Sequence, residues 1–420
     1  MRNTFIDSAY EIGQAGSRQR ALEDKLIPGG KPTMPYYAKL KRLSEKDRKR
    51  IVAGIQRLRL QFDQNQFPYK KTDRSLILGT WNIRNFDDDR FNYGPRTEEA
   101  LYYIAEIISR FDVIAVQEVC EDVSPLDRVI GLLGRQYDYI LTDVTHSSLG
   151  GNKERLGFIY DRDKVRFRGI AGEIVLPEKM LISETTDKKR QFARTPFGVE
   201  FQSGWFKFQF STVHIFFGSN SGNTPQYKRR VDEINAIAKY LAKEARSRDS
   251  NKILVGDFNI KERGSEGFNA LEKNGFMTVK NRMGSNRDQT KFYDQISFLP
   301  RKNELKMIEP ERDDRVFQFF ESVFRADEFP TYKAIMKKGI EGKLKTAEEE
   351  LEKATSKTAR TKAEKIIKSL KAAARSDTSL KAYYEEWRTF QMSDHLPLWV
   401  EVEIDFSAEY LEYLKKYKPE

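Results

Sequence analysis

Ile253-Leu254-Val255-Gly256-Asp257-Phe258-Asn259 is the stretch on which the reading of this chain turns. An apolar run of strand length stops at a glycine and a carboxylate, and an amide follows two residues on. Gly256 allows close backbone approach or unusual dihedrals. In extended backbone Asp257 and Asn259 point to the same side. One carboxylate and one amide on one side can orient a nucleophilic water and bind an oxyanion. A plain turn is the competing reading, because Asp and Asn both favour turns.

The same texture recurs outward from this stretch. Leu76–Trp81 and Asp112–Gln117 are apolar runs of strand length; Thr80-Trp81-Asn82 ends the first and Gln117-Glu118 the second. Between them Thr97–Arg110 reads as a helix capped by Thr97, with Leu101, Ile104 and Ile108 at helical spacing. Leu156–Tyr160, Val165–Ile170, Val199–Phe201, Trp205–Ile215, Asp294–Phe298 and Leu398–Ile404 read as further strands, and Gln226–Ala245 as an amphipathic helix. Many strands with few crossover helices imply an α+β fold of mixed sheets packed face to face.

Chemistry-bearing residues sit at the ends of these runs. Glu118 follows Val113-Ile114-Ala115-Val116, which carries its carboxylate into a partly buried place. Such a carboxylate is costly unless it is paired or bound to a cation; a strand-end acid facing solvent is the alternative. The chain has three histidines. His146, in Thr145-His146-Ser147-Ser148, reads as an ordinary loop residue. His214 ends a strand on the face of Phe206, Phe208 and Phe210, and alone reads as a core histidine. His395 lies in Ser393-Asp394-His395-Leu396-Pro397, just before the last strand. No Walker-type phosphate loop, HExxH, CxxC or GxSxG motif is present. Cys120 is the single cysteine, so an intrachain disulfide and a Cys-rich zinc site are excluded. An oxygen-rich ligand set with two imidazoles suits Mg²⁺-assisted attack of water on a phosphate ester.

With 39% hydrophobic residues over 420 positions the chain can bury a sizeable core. No apolar run approaches the ~18 residues of a membrane span, and the N-terminus lacks the apolar stretch of a secretory signal. The expectation is a cytoplasmic protein without a membrane partner. The net charge of +11 is unevenly placed. Residues 1–70 carry 15 basic and 7 acidic side chains (+8), residues 333–388 carry 15 and 9 (+6), and the remainder sums to −3. Basic segments suit a polyanionic partner, a solvated helix surface being the bland alternative. The segment 1–70 reads as a basic helical N-terminal appendage. Ser44 starts a helix there, with Ile51, Ile55, Leu58 and Phe62 on one stripe. Residues 71–420 read as a catalytic domain interrupted at 333–388 by a helical hairpin turning near Thr355–Thr361. The hairpin is either a polyanion grip or an element that binds a protein partner or mediates oligomerisation.

Taken together, Thr80-Trp81-Asn82, Gln117-Glu118, Lys153-Glu154, Arg194, Val213-His214, Gly256-Asp257-Phe258-Asn259, Tyr293-Asp294-Gln295-Ile296 and Ser393-Asp394-His395 form an ordered set from about Leu76 to Ile404. The set resembles the endonuclease/exonuclease/phosphatase superfamily, the fold of pancreatic deoxyribonuclease and the abasic-site endonucleases. The resemblance implies a four-layer α/β sandwich with its site at one edge of two packed mixed sheets flanked by helices. It implies Mg²⁺, or Mn²⁺, with Glu118 as main ligand aided by Asn82 and Asp394. By the same resemblance, His395 is an acid/base oriented by Asp294, and His214 a second imidazole oriented by Glu154. Asp257 and Asn259 bind phosphate and position water, and Arg194 contacts the scissile phosphate. Each carboxylate is then expected to favour the imidazolium of its partner. The sequence departs from the pancreatic enzyme at Cys120-Glu121-Asp122, where that enzyme has a DNA-binding arginine, and at Asn152, where it has a tyrosine. The expected function is a metal-dependent phosphodiesterase, a nuclease acting by metal-activated water on DNA rather than RNA. The alternatives are a lipid or inositol phosphate phosphoesterase of the same superfamily and a non-catalytic scaffold.

Overall fold

The computed structural model describes residues 35–70, 74–86, 89, 91–145, 152–183, 189–219, 221–248, 250–300 and 304–416. His146 and the first 34 residues of the basic N-terminal segment lie outside them.

In chain order the elements are α1 (Glu45–Gln64), β1 (Ser75–Phe86), α2 (Glu98–Ile108), β2 (Val113–Cys120), α3 (Ser124–Leu133), β3 (Tyr137–Leu141), β4 (Glu154–Asp161), β5 (Arg166–Glu173), β6 (Ile182–Ser183), β7 (Lys189–Arg190), β8 (Phe197–Ser203), β9 (Phe206–His214), α4 (Pro225–Arg248), β10 (Asn251–Asp257), α5 (Glu266–Lys273), β11 (Met277–Thr278), β12 (Asp294–Leu299), α6 (Phe329–Lys353), α7 (Lys357–Ala374), α8 (Asp377–Gln391), β13 (Leu398–Glu403) and α9 (Ser407–Lys416). One sheet has the order β13-β1-β2-β4-β3 and the other β11-β12-β10-β9-β8-β5. Each is built around one parallel pair joined by a helix: β1-α2-β2 in the first and β9-α4-β10 in the second. Their other neighbours run antiparallel.

That topology decides where the site forms. Parallel strands end, and their antiparallel neighbours begin, at the same edge of a sheet. Asn82, Glu118, His214 and Asp257 lie at or near the ends of parallel strands; Glu154 and Asp294 open antiparallel ones; His395 comes three residues before β13.

The two sheets face each other across an apolar layer. Leu78, Val113, Phe158 and Val400 of the first meet Phe201, Phe210, Val255 and Phe298 of the second. The Phe158 ring lies 5.1 Å from that of Phe210 and 5.9 Å from that of Phe201. Burial of such rings is the main favourable term in folding. Helices α1, α2 and α3 cover the outer face of the first sheet, and α4 and α5 that of the second. The result is the expected four-layer sandwich.

Helix α1 starts where Ser44 Oγ accepts the Asp47 N–H at 3.1 Å. Its stripe of Ile51, Ile55, Leu58 and Phe62 is buried in the outer core of the first sheet. Two ion pairs fasten it to α2, Arg50–Glu99 and Arg59–Glu106, each at 2.8 Å. The inserted pair is α6 and α7, broken at residues 354–356, with Ser356 Oγ capping α7 through the Ala359 N–H at 3.2 Å. A third helix, α8, follows and returns the chain to the site. The root of α6 rests on α2, where Tyr332 Oη donates to Glu99 Oε1 at 2.8 Å. Among the described residues no helix is long and apolar enough to cross a membrane.

Candidate active site

Two irregularities turn the site residues inward. The β1–β2 register shifts between Asn82 and Phe86, and the β2–β4 register between Val116 and Val119. A bulge re-aims a side chain that a regular strand would send elsewhere. Asn85, Glu118, Lys153 and Asn259 all have positive φ, at 41°, 60°, 58° and 54°. Side chains held in such conformations concentrate where the surrounding structure over-determines them.

The centre of the cluster is Asp257. Its Oδ1 accepts the Asn259 N–H at 2.8 Å, and its Oδ2 accepts from Asn82 Nδ2 at 3.0 Å. His214 Nε2 and His395 Nε2 lie 3.6 and 3.7 Å from the same Oδ2. All four side chains are buried. Each imidazole has a second carboxylate drawn from the opposite sheet. For His395 this is Asp294, whose Oδ2 is 2.8 Å from Nδ1 and also accepts from Ser285 Oγ at 2.7 Å. For His214 it is Glu154, with Oε1 3.2 Å from Nδ1.

The two pairs differ. Burial opposes charge on His395, but Asp294 and Asp257 outweigh it, so the ring holds a proton well above the usual imidazole value. Burial and the Arg194 guanidinium pull His214 down to about 4. Glu154 Oε1 is engaged by Arg194 Nε, and His214 Nδ1 forms no hydrogen bond among the described residues. The expectation that both carboxylates favour imidazolium therefore holds for His395 and is corrected for His214. Arg194 competes for the carboxylate oxygen and repels a proton on the ring. Arg194 is itself buried, with Nη1 also 3.4 Å from the His214 carbonyl oxygen.

A second correction concerns Asn259. At φ 54° it is not extended, so the same-side argument fails for it. Its Nδ2 donates to the Ile215 carbonyl at 2.8 Å and its N–H fixes Asp257. It therefore ties the carboxylate to the end of β9.

Glu118 stands at the half-buried mouth of the cluster. Burial opposes its charge, but His214, the Asn85 N–H and Asn82 Nδ2 hold its carboxyl at about 2. The hydrogen bonds are 2.8 Å to Asn85 N and 3.0 Å to Asn82 Nδ2. Burial lifts the Asp394 carboxyl against the pull of His395 and Arg84, and the Glu118 charge adds to the lift. Two crowded carboxylates and the partnerless buried Asn82 Oδ1 form an oxygen donor set of the kind a hard divalent cation takes. Ligand atoms of Glu118, Glu154 and His214 also lie within 4.8 Å of one another, as do those of Asp257, Asp294 and His395. In those groups Glu154 is held by Arg194, and Asp294 by His395 and Ser285. Among the described residues Glu118 has no cationic partner of its own, and its oxygens accept only from Asn82 and Asn85.

Several supports carried no sequence signal as to role. Ser393 Oγ donates to the Asn82 carbonyl at 2.6 Å and accepts the His395 N–H at 3.0 Å. Trp81 Nε1 donates to the His395 carbonyl at 2.9 Å. Buried Glu233 of α4 accepts the N–H groups of Ala193 and Phe216, the neighbours of Arg194 and of the β9 end, at 3.2 and 3.0 Å. Its place on an amphipathic helix gave no hint of that reach.

A model of the Endonuclease/Exonuclease/phosphatase family matches residues 79–300. No curated protein matches the chain significantly. Among solved structures, it is similar to an endonuclease/exonuclease/phosphatase family protein from Bacteroides thetaiotaomicron, at 15% identity and TM-score 0.44, covering 79% of this chain and 99% of that one. It is similar to mannosyl-6-phosphatase of the same organism, at 18% identity and TM-score 0.41, covering 55% and 87%. It is also similar to D. rerio TDP2 complexed with a single-strand DNA product, at 16% identity and TM-score 0.38, covering 57% and 92%.

Proposed function

The chain belongs to the endonuclease/exonuclease/phosphatase family, and from that premise we propose that it is a metal-dependent phosphodiesterase, a nuclease whose substrate is DNA rather than RNA. The observation that carries the reading is the convergence of two imidazoles on Asp257 Oδ2, one backed by the Asp294 carboxylate and the other facing a Glu154 that Arg194 engages. A phosphodiester needs water oriented on one side and a proton for the oxygen leaving on the other. Asp257, fixed by Asn82 and Asn259, orients the attacking water and takes its proton at Oδ2. His395, charged through Asp294, delivers a proton from Nε2 to the leaving oxygen. Neutral His214 and the Arg194 guanidinium hold the remaining phosphate oxygens. Glu118, Asn82 and Asp394 would hold Mg²⁺ or Mn²⁺, which when bound would supply Lewis-acid polarisation of a phosphoryl oxygen. The basic excess of residues 1–70 and 333–388 supports a polyanionic substrate.

Supercoiled plasmid, single-stranded RNA and a phosphomonoester, each with Mg²⁺ and with EDTA, test the proposal. Mg²⁺-dependent nicking of plasmid at a rate above RNA cleavage is expected. Phosphate release from the monoester with no nicking overturns it.

A further inference from the structure

Residues 329–391 lie outside the stretch matched by the family model, yet they adjoin the site. Arg84, two residues beyond Asn82, reaches Thr389 and, at 3.1 Å, Glu386, both on α8. Its guanidinium lies 5.7 Å from the Phe91 ring and 5.8 Å from that of Tyr93. Phe91 is 52% exposed. Next to these rings, the loop carrying Asn92 and Pro95 and the helices α6 and α7 enclose a cleft of 650 Å³. Lys338, Lys343 and Lys362 line it, with Asp89 and Glu350; Lys343 is paired with Asp89. It is open beside Gly339 and Gly342, where a Cβ would meet nothing within 4 Å.

Helix α7 forms the far side. It carries Lys357, Arg360, Lys362, Lys365, Lys368 and Lys371 against a single acid, Glu364. Ala363 and Leu370 are its buried residues. At 100° per residue Lys357, Lys365 and Lys368 therefore fall on the outward arc, while Arg360, Lys362 and Lys371 flank the buried stripe, with Lys362 on the side of the cleft. Lys371 pairs with Glu348 at 3.0 Å. The other five cations have no ion pair among the described residues. Lys362, Lys365, Lys368 and Lys371 follow one another at intervals of three, a spacing at which like charges on a helix repel. From Lys357 to Lys368 the array spans about 16 Å. An unneutralised cationic array, reached from the reacting centre past an exposed aromatic ring, matches a chain of phosphates with bases that stack.

We propose that the insertion guides the nucleic-acid strand on one side of the scissile phosphate. The strand passes Arg84 and Phe91, follows the cleft beside α6 and lays its phosphates on α7. The inference rests on the phosphodiesterase reading above and adds to it a long polyanionic substrate and the face that takes it.

Binding of a 30-nucleotide DNA strand in EDTA, measured against log salt, tests the guide. The variant Lys357→Gln/Arg360→Gln/Lys365→Gln/Lys368→Gln neutralises four fewer phosphates, so its slope should be shallower by about 3. Its affinity at low salt should fall at least ~10-fold. A control at the opposite end of the sheets, Arg74→Gln with Lys207→Gln, should keep the wild-type slope. Phe91→Ala should weaken binding ~5-fold or more at an unaltered slope, because stacking neutralises no phosphate. An unchanged slope in the quadruple variant overturns the guide, and an unchanged affinity in Phe91→Ala overturns the route past Arg84. A protein that self-associates in wild type but not in the quadruple variant, with equal slopes, assigns the face to a protein contact instead. Hydrolysis of bis(p-nitrophenyl) phosphate with Mg²⁺ separates the two levels. Wild type inactive on it sinks the phosphodiesterase reading, whereas activity with unchanged slopes sinks the guide alone.

Discussion

His214 and His395 point their Nε2 atoms at one oxygen of Asp257 from 3.6 and 3.7 Å, yet their proton affinities lie on opposite sides of the ordinary imidazole value. The cause is what stands behind each ring. Asp294 is free to pair with His395, whereas Glu154 is engaged by Arg194 before it reaches His214.

Histidine resonances followed by NMR in EDTA should therefore separate. The His395 ring should titrate well above 6.5 and the His214 ring near 4, assigned by the loss of each signal in its Gln variant. The stability contribution of His395 is complete below 6.5 and is lost as pH rises through its folded value. That of His214 is present above 6.5 and is lost as pH falls through about 4. Both rings titrating near 6.5 would refute the asymmetry.

Glu118→Gln keeps the volume and hydrogen-bonding reach of the side chain and removes its charge. Activity on a small phosphodiester should fall at least ~10²-fold, and half-saturation by Mg²⁺ should move to higher concentration. Asp257→Asn should cost as much without moving the Mg²⁺ midpoint. A Glu118→Gln enzyme with the wild-type rate takes Glu118 out of the site.

His395→Ala and His214→Ala should each slow hydrolysis ~10²-fold or more. The double variant should be little worse than the poorer single one, since both rings act on one step. Fully multiplicative losses would show that they serve separate steps, and an active His214→Ala would leave that ring a packing role.

Gly256 tests the backbone. Its φ is 126°, and a Cβ there would come within 2.1 Å of the Val213 carbonyl oxygen. Gly256→Ala should destabilise the fold by about 3 kcal/mol, combining conformational strain with overpacking at the β9–β10 contact. Urea unfolding measures it; a cost under ~1 kcal/mol would mean the strands part without penalty.

The strands that build the site were legible because the apolar runs ending in Asn82, Glu118, His214 and Asp257 are largely buried in central positions of their sheets. Edge and short elements were not. β3, Tyr137–Leu141, is a half-exposed edge strand without a strong alternation, and α3 and α5 are only 10 and 8 residues long. α8 went unseen because its charged face continues that of α7. Identity of the site residues could be taken from motif order, but their electrostatics could not. That Arg194 diverts Glu154 from His214 depends on three chain segments meeting, and no local pattern encodes it. At Asn259 the competing turn reading was the right one: its φ of 54° ends the extended chain, and the sequence left the choice open because Asp-Phe-Asn after a strand continues equally well as extended chain.

Both carboxylate–imidazole pairs bridge the sheets: Asp294 of β12 to the His395 that precedes β13, and His214 of β9 to Glu154 of β4. Their lengths are thus set by how thick the phenylalanine layer is between the sheets, and by no single loop. Trimming Phe158 or Phe210 thins that layer, and any sag stretches or compresses both pairs together. Catalysis then becomes a gauge of the state of the core. Softening of the apolar layer on warming should reach the proton-transfer distances before secondary structure melts, so activity should fade at temperatures where the helices still report a folded chain.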